Sequence, residues 1–533
     1  MRKGYMKKGI VAVLLASLIV ILLAGCSGDK KEGGATGTSS QAPSEKANAE
    51  PVELTIMTYD GDTIAQDENS PIYKAVREKL NVKFKVITAP FSGYDDKVNV
   101  TIASGQVPDL FNYWGIARLA QYKSWIKEGF VLPLSDVADK YPNIAKQLKS
   151  FDSFAKMTDG KHYGLPIISY SQIDSPAVND HTIYVRKDWL DKLGLPVPTT
   201  IDEFANVAKA FAQNDPDGNN KADTYGYTSD GLWWDYPIFN AFDTSFDRYR
   251  KADGQWIPEV IQDETKQAVA FLKSMYDDKI MDPEFVINNG DKKIEKFVSG
   301  KAGMIIHNGR HFYNDLYDKF KAAYPDKDPK SMFVSTGILE SKQGNKRLDG
   351  FPNFWFYTFV SNKASPEKQQ KALELLDFLG SEEGINLMRW GIEGEHYTKE
   401  GDKFVSTLPI DENGKQQTIK EIDATAKLMN YVTWDSDFVS DQLPNREEVL
   451  NNGKEGIESS NPDLLYGMYI DENVLSPEIG KEVNDYIFET LVKLIVSSKN
   501  FDQDWEAFVQ MWLDKGGQKV WDETSKQALA ENR

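Results

Sequence analysis

The sequence predicts an α/β fold that is spread over more than one lobe. Residues 52–57 and 82–87 alternate apolar and polar side chains in the manner of strands, and a helical segment at about 70–80 separates them. Strand, helix and strand at this spacing form a βαβ unit, which builds a parallel sheet covered by helices. A chain of 533 residues is also longer than one hydrophobic core usually organises, so at least two lobes are expected.

Helix starts and ends are marked at several places along the chain. Ser70 is the predicted N-cap of the first helix, because a serine side chain can accept a hydrogen bond from an unpaired backbone amide of the first turn. Pro71 is the predicted first residue, because proline has no backbone N–H that would be left unpaired there. Thr200 and Glu203 form a predicted capping box. Further predicted elements are strands at 183–185 and 303–306, helices at 187–193 and 366–379 that end at Gly194 and Gly380, and mostly helical structure over 477–530.

The first 25 residues have the three parts of a secretory signal. Basic residues come first, an apolar run occupies 10–23, and the small residues Ala24 and Gly25 precede Cys26. The apolar run is short for a membrane-spanning helix, which needs about 20 residues. The ending Leu-Ala-Gly-Cys resembles the lipobox of bacterial lipoproteins, whose cysteine receives a diacylglyceryl group. We therefore expect residues 1–25 to be a signal peptide, Cys26 to carry the lipid and residues 26–51 to form a flexible tether.

The composition limits the covalent links, the metal sites and the binding partners that the mature chain can have. Cys26 is the only cysteine, which excludes intrachain disulfides and thiolate metal sites in the mature chain. The signal carries four basic and no acidic residues, so the net charge of −19 becomes −23 after cleavage, and nucleic acid is an unfavourable partner. Aromatic residues make up 12% of the chain, and the flat apolar faces and single polar edges of Trp and Tyr suit a sugar ligand.

The chain lacks the common catalytic motifs. It has no Gly-x-Ser-x-Gly elbow, no phosphate-binding Gly-rich loop and no His-Glu-x-x-His sequence. His307 and His311 are four residues apart, but Asn308 stands where a zinc protease has its glutamate. Glu393 and Glu395 could form the carboxylate pair of a glycosidase, which leaves a lipid-anchored glycoside hydrolase as an alternative. The main expectation is a binding protein that is not an enzyme.

The segment 215–223 has the pattern of a calcium loop. Side-chain oxygens of Asp215, Asp217, Asn219 and Asp223 occupy positions 1, 3, 5 and 9, and Lys221 offers its backbone carbonyl at position 7. Hard cations select oxygen ligands in this arrangement, so we expect one structural calcium ion per chain. The alternative is a polar surface turn, for which Asp, Asn and Gly are also typical.

Two positions of this loop depart from the EF-hand. Asn220 replaces the glycine at position 6, which is a mild change because asparagine tolerates a positive φ. Gly226 replaces the bidentate glutamate at position 12 and removes two oxygens. We expect another acid, or Asp223 in bidentate mode, to compensate.

Aromatic residues in predicted loops indicate a carbohydrate site. A tryptophan beside polar residues can stack on a sugar ring while its neighbours bond the hydroxyls, and ligand pockets combine such apolar walls with a few placed polar groups. The predicted ligand-binding residues are the stacking residues Trp233, Trp234, Trp355 and Trp390 and the polar residues Arg310, Asp60 and Glu393.

Several segments, taken together and in order, resemble the extracellular solute-binding proteins of ABC importers. The similarity is closest to the large sugar-binding lipoproteins of Bacillus-like bacteria, with the alginate-binding proteins as relatives. It rests on Gly-Gln-Val-Pro-Asp-Leu at 105–110, Asp-Gly-Lys-His-Tyr-Gly-Leu-Pro at 159–166, and the segments 186–195, 198–204, 215–223, 299–304 and 391–397.

This resemblance implies a two-lobed fold of the periplasmic-binding-protein type. Two α/β lobes would be joined by crossover strands, with the ligand in the cleft and a structural calcium in the 215–223 loop. We place one lobe at 52–180 plus 310–378 and the other at 181–309 plus 379–533. The expected function is a monomeric receptor, held on the extracytoplasmic face of the cell membrane by its lipid, that delivers an oligosaccharide to an ABC permease. A peptide-binding receptor of the same architecture remains an alternative.

Overall fold

A computed structural model describes the greater part of the chain. The described residues are 50–59, 64, 67–114, 119–151, 157, 159–169, 177–178, 181–232, 234–308, 313–347, 350–351, 354–401, 403–410, 416–434, 464–466 and 477–530. The predicted signal peptide, Cys26 and the tether up to residue 49 lie outside them. Within these ranges, no helix combines the length and the apolar character that a membrane crossing requires.

The strands and helices alternate along most of the chain. The strands are β1 (Val52–Tyr59), β2 (Val82–Ala89), β3 (Leu110–Trp114), β4 (Gly164–Ile168), β5 (Ala177–Val178), β6 (His181–Arg186), β7 (Arg248–Ala252), β8 (Gln255–Pro258), β9 (Met304–Asn308), β10 (Phe333–Ser335), β11 (Gly350–Phe351), β12 (Phe354–Val360), β13 (Tyr397–Glu400), β14 (Lys403–Ser406) and β15 (Leu464–Tyr466). The helices are α1 (Pro71–Leu80), α2 (Tyr94–Ala103), α3 (Leu119–Lys127), α4 (Pro142–Ser150), α5 (Lys187–Leu193), α6 (Ile201–Gln213), α7 (Tyr236–Asn240), α8 (Asp263–Asp277), α9 (Gly290–Val298), α10 (Tyr313–Ala323), α11 (Pro366–Leu379), α12 (Glu382–Trp390), α13 (Ile419–Ile422), α14 (Pro477–Ser497), α15 (Phe501–Trp512) and α16 (Gln518–Ala530).

Five strands form the sheet of the first lobe, in the order β2-β1-β3-β12-β4. β1 pairs in parallel with β2, from Val52 opposite Val82 to Tyr59 opposite Ala89, and also in parallel with β3. β12 runs antiparallel to β3 and β4. The predicted βαβ unit is confirmed. Its helix is capped as expected, because the Ser70 side chain accepts from the Tyr73 amide.

The sheet of the second lobe has three strands in the order β10-β6-β9, all antiparallel neighbours. Helix α5 follows β6 directly and ends at Gly194, whose φ of 67° suits the end of a helix. Thr200 caps α6 by accepting from the Glu203 amide, and the Glu203 carboxylate accepts from the amide of Thr199, one residue earlier than the predicted box has it.

Each lobe has its own hydrophobic core. In the first lobe both faces of the sheet are covered, with Ile56 and Leu376 in the core on one side and Phe111 on the other. In the second lobe the C-terminal helices complete the core, where Trp505 and Trp512 pack in the same cluster as residues of α6 and α8. The predicted helical structure of the C-terminal region is confirmed.

The sheets divide the chain at different points from the predicted lobe boundaries. β10 pairs with β6, and the preceding helix α10 packs in a core with α9, so residues 313–335 belong to the second lobe, not to the first. Helix α12 and residues 426–432 pack in the core of the first lobe, although the prediction placed 379–533 in the second. The difference at 313–335 follows from the antiparallel pairing of β10 with β6, which the hydrophobic pattern of so short a strand does not reveal.

Candidate ligand-binding site

The carboxyl edge of the first sheet contains a topological switch point. The chain leaves β1, returns as β2 on one side of it and then as β3 on the other. The helical connections after β1 and β2 therefore diverge and leave a crevice between the carboxyl ends of β1 and β3. In open α/β sheets, ligands bind in such a crevice.

Five aromatic rings line this edge, which we call the first-lobe aromatic group. Tyr59 ends β1, Phe91 follows β2, Trp114 ends β3, Phe356 lies near the start of β12, and Trp434 is bonded to the end of β4. Phe91 lies 5.3 Å from Tyr59 and 5.6 Å from Trp114, centroid to centroid, in edge-to-face geometry. Phe356 lies 4.2 Å from Trp114 and 5.5 Å from Trp434. The contacts form one connected network across the ends of all five strands of the sheet.

Part of this edge is exposed to solvent. Phe91 is 52% exposed and Trp355, beside Phe356 in β12, is 37% exposed, whereas Phe356 is buried. The pairing of β12 with β4 shifts register between Phe354 and Tyr357, and Trp355 lies in this irregular stretch. Exposed aromatic rings on a rigid base are the arrangement that sugar stacking requires.

The second lobe has an aromatic edge of its own. His181 begins β6 and pairs with Asn308 at the end of β9. The Trp234 ring stacks on the His181 imidazole at 4.5 Å and 27°, and it is 43% exposed. Burial lowers the pKa of His181 well below its usual range and that of His307 to about 3, with a further contribution from the positive charge of Lys293. Both imidazoles are therefore neutral at neutral pH.

Buried neighbours hold Trp234 at this edge. Leu232, Asp235 and Tyr236 on either side of it are buried. The Asp235 Oδ1 accepts from the Tyr227 hydroxyl at 2.7 Å and from the Ser229 hydroxyl at 2.8 Å. Burial raises the pKa of the Asp235 carboxyl to about 7, although these hydrogen bonds oppose the shift. The exposed indole thus lies between buried side chains, of which Asp235 is held by hydrogen bonds.

The crossover segments begin and end at these two edges. Between β4 and β6 lies β5, and between β10 and β12 lies β11; the two short strands pair antiparallel, Ala177 with Phe351 and Val178 with Gly350. Trp434, whose amide donates to the Ile168 carbonyl at 2.9 Å, is the last described residue of the first lobe before β15, which pairs with β7. The carboxyl edge of the first sheet and the His181 end of β6 therefore adjoin the same ribbon of crossing strands.

The predicted stacking and polar residues fall into three groups. Trp234 and Trp355 lie at the edges just described. Trp390 lies at the end of α12, where its ring stacks on Phe404 of β14 at 5.1 Å and 14°, and Glu393 lies 3.5 Å from Lys399. Trp233, Arg310 and Asp60 lie outside the described residues.

Sequence reasoning missed Tyr59 and Phe91, and it left Trp114 and Trp434 unassigned. Each of the first three stands at or just after the end of a parallel strand. The signal was available, since an aromatic residue that follows a predicted parallel strand lies at the edge where ligands bind. Trp434 could not be found this way, because its position depends on the pairing of Thr433 with Ile168 far along the chain.

The 215–223 segment folds as a tight loop after α6. Asp215, with a φ of 50°, accepts from the amides of Gly218, Asn219 and Asn220 at 3.0–3.1 Å. Asn220 has a φ of 61°, the conformation that glycine usually supplies in calcium loops. The predicted tolerance of asparagine at this position is confirmed.

The remaining side chains of this loop meet at Asn219. Its amide nitrogen lies 2.6 Å from Asp217 Oδ2 and 3.0 Å from Asp223 Oδ1, and the Lys301 ammonium lies 3.1 Å from Asp223 Oδ2. The Asn219 amide nitrogen therefore bonds both carboxylates, at a place where a cation would also be favoured. Burial and nearby carboxylates raise the pKa of Asp217, and a cation would oppose this shift.

Two findings limit the ligand set of this loop. Gly226 packs against α6 so closely that an added Cβ would lie 2.1 Å from the Ala208 carbonyl oxygen, so no side chain can occupy position 12. Thr224 is buried and its hydroxyl donates to the Phe211 carbonyl at 2.8 Å. Among the described residues, no three acidic, histidine or cysteine side chains converge as a metal site.

The two constellations weighed as catalytic have ordinary structural surroundings where they are described. His307 lies in strand β9, so its spacing from His311 does not place the two side chains on one helical face. The Glu395 carboxylate lies 3.9 Å from His396, and Glu393 is paired with Lys399. The other partner, His311, lies outside the described residues.

The fold and the paired aromatic edges define a two-lobed ligand-binding protein, and sequence comparison identifies its family. The model of the bacterial extracellular solute-binding protein family matches residues 72–391, and the chain belongs to this family. The predicted family and the predicted two-lobed α/β fold are confirmed.

Two curated relatives from Bacillus subtilis (strain 168) match over almost their whole length. The chain is 25% identical to lipoprotein LipO over 98% of each chain. It is 26% identical to the polygalacturonan/rhamnogalacturonan-binding protein YtcQ over 97% of this chain and 99% of that protein. Among solved structures, the alginate-binding protein AlgQ2 without calcium ion has a TM-score of 0.66 at 18% identity and covers 91% of this chain and 99% of its own.

A second solved structure resembles the fold equally well. The Streptococcus pneumoniae substrate-binding protein FusA in complex with kestose has a TM-score of 0.66 at 20% identity, over 90% of this chain and all of that one. A related structure of the same protein is described as an EF-hand mutant. At these identities the solved structures show a shared fold.

Proposed function

We propose that this protein captures an oligosaccharide between its two lobes and delivers it, unchanged, to an ABC-type permease. The observation that carries the proposal is the pair of aromatic edges at the ends of the crossing strands, one of them at the switch point of the first sheet. The family supplies the class of solute-binding protein, and the names of YtcQ and FusA specify saccharides as ligands of those relatives.

The ligand-binding residues divide into stacking and polar contacts. Trp234 and Trp355 are exposed at the two edges, and they offer flat apolar faces to the C–H face of a sugar ring. We also assign Trp233 and Trp390 to stacking. Hydrogen bonds to the ligand's hydroxyls are assigned to the set Arg310, Asp60 and Glu393.

Binding is coupled to closure of the two lobes. Because the lobes are joined by short crossing segments, a ligand that contacts both edges binds the closed arrangement more tightly than the open one. The closed, loaded shape is then the form that a permease can recognise. The protein acts as a monomer and leaves the sugar bonds intact.

The site of action is the extracytoplasmic face of the cell membrane. Cys26 carries the lipid, and residues 26–51 separate it from the folded part. Two or more acyl chains on one residue give stable attachment, which a single chain does not.

A calcium ion in the 215–223 loop has a structural role in this proposal. The proposed ligands are side-chain oxygens of Asp215, Asp217, Asn219 and Asp223 and the Lys221 carbonyl. The Asp217 and Asp223 carboxylates both bond the Asn219 amide nitrogen, which a bound cation would replace as their partner. A bound cation would satisfy the facing carboxylates that Asn219 and Lys301 now bond. The loop directly follows the end of α6.

A thermal-shift experiment tests the proposed function. The full-length protein in detergent is screened against kestose, raffinose, maltotriose and trigalacturonate, with short peptides as the comparison class. We expect at least one saccharide to raise the melting temperature, because binding to the native state stabilises it. A rise with peptides alone favours the peptide receptor, and shortened saccharides after incubation favour the hydrolase.

A further inference from the structure

Phe91 is the most exposed side chain of the first-lobe aromatic group. The residue is 52% exposed even though the Tyr59 and Trp114 rings contact its ring. A phenyl ring has no polar edge for water to solvate, so this exposure leaves a large apolar area in contact with water. Single exposed apolar side chains are common on protein surfaces, but Phe91 is the most exposed member of a connected network of rings.

The backbone of Phe91 is fixed at the sheet edge. Phe91–Gly93 forms a 3-10 turn that leads directly into α2. The first residue of α2, Tyr94, is buried, and its hydroxyl lies 3.2 Å from the Met57 carbonyl of β1 and 2.8 Å from the Asn112 carbonyl of β3. Tyr94 thereby links the turn by hydrogen bonds to β1 and β3, the two strands that flank the crevice. The exposed ring is presented by a rigid element.

The position of this ring is the one that the topology favours for a ligand. Tyr59 ends β1 and Trp114 ends β3, and these two residues flank the switch point; Phe91 touches both. A ligand in the crevice outside these strand ends meets the exposed part of Phe91. Edge-to-face contacts with the two supporting rings hold its orientation.

We infer that Phe91 is a stacking residue of the ligand site and packs against the apolar C–H face of a saccharide ring. The inference rests on the proposed function, since it names a contact within the same cleft. A phenyl ring bonds no hydroxyl, so it should strengthen the binding of different saccharides by similar factors. Phe91 would then contribute to the affinity for every saccharide, while the polar contacts determine which saccharide is preferred.

Calorimetric titration of the full-length protein in detergent tests this contact. The probes are every saccharide among kestose, raffinose, maltotriose and trigalacturonate that binds the wild type. We expect Phe91→Ala to weaken each by about tenfold and by similar factors. Phe91→Leu keeps an apolar side chain but removes the flat face, so its saccharide affinity should fall nearly as much as that of Phe91→Ala. The affinity of Phe91→Trp should stay within about threefold of the wild type.

Val100→Ala is the matched control. Val100 is an apolar residue of α2 that is 65% exposed, in the same lobe but away from the aromatic group. It should leave affinity unchanged. Affinity of Phe91→Ala within twofold of the wild type, or an equal loss in Val100→Ala, overturns the inference and leaves the proposed function standing. Failure of the wild type to bind any saccharide overturns both. Melting temperatures confirm that each variant is folded.

Discussion

At the scale of single residues, Trp234 and Trp355 present the sharpest test of where the ligand lies. Each belongs to a different lobe and is partly exposed beside buried neighbours. We expect Trp234→Ala and Trp355→Ala each to weaken saccharide binding by roughly 1–3 kcal/mol, the value of one aromatic face, and to leave the fold intact. Calorimetry gives the affinity and circular dichroism the fold.

Ile287→Ala is a suitable control for these two variants. Ile287 is 79% exposed in the second lobe and belongs to neither aromatic edge. Its replacement should change neither affinity nor melting temperature. Wild-type affinity in both tryptophan variants would place the ligand elsewhere.

A second residue-scale prediction concerns the buried Asp235. Its pKa of about 7 exceeds the ordinary 3.8, so between these values the folded state binds more protons than the unfolded state. The sign of the linkage follows: the contribution of the protonated carboxyl is complete at about pH 4 and is lost as pH rises to about 7, by at most about 4 kcal/mol. Asp235→Asn keeps the shape and cannot titrate.

Thermal unfolding between pH 5 and 8 measures this dependence. We expect the fall in melting temperature with pH to be steeper in the wild type than in Asp235→Asn. Asp253→Asn, a change in an exposed turn outside this cluster, should follow the wild type. Parallel curves for all three proteins would mean that Asp235 ionises normally.

At the scale of elements, the 215–223 loop is the predicted site of a structural calcium ion. We expect calcium to raise the melting temperature of the chelator-treated protein, because binding to the native state stabilises it. Asp217→Asn and Asp223→Asn should reduce this effect, while Asp326→Asn, on the surface outside the loop, should retain it. Equal melting temperatures with and without calcium would leave the loop as a polar turn.

The close packing of Gly226 leads to a separate stability prediction. Because a Cβ there would lie 2.1 Å from a backbone oxygen, Gly226→Ala should lower the free energy of unfolding by about 1–3 kcal/mol or more. Gly290→Ala, where the nearest atom is 3.9 Å away, should have little effect. Urea denaturation compares the two. A neutral Gly226→Ala would show that α6 can move away.

Local signals predicted the elements better than the site. Ser70, Gly194 and Thr200 act where the sequence indicated, because capping depends on residues a few positions apart. Trp390 illustrates the opposite case. Its stacking on Phe404 comes from the β13–β14 hairpin, which the loop pattern around it did not indicate. The second-lobe position of β10 likewise depends on pairing with a strand about 150 residues earlier.

At the scale of the whole molecule, anchoring and closure can be measured separately. We expect Cys26→Ser to move the protein from the membrane to the soluble fraction, because Cys26 is the only thiol available for a lipid. Continued sedimentation with the membrane and undiminished lipid labelling would contradict the lipid anchor at Cys26.

Closure of the lobes is measured by solution scattering. The protein should show a smaller radius of gyration when a binding saccharide is added, and no change with a saccharide that does not bind.

The side chain of Gln147 has a mechanical consequence for that closure. Its amide nitrogen lies 2.6 Å from the Pro166 carbonyl of β4 and 3.0 Å from the Val432 carbonyl, and both of these segments lead out of the first lobe. Two of the connections therefore start from segments that are hydrogen-bonded to the same side chain. In the proposed closure, we expect this shared base and the paired β5 and β11 to make the connections bend together, so that each aromatic edge moves as one unit relative to the other.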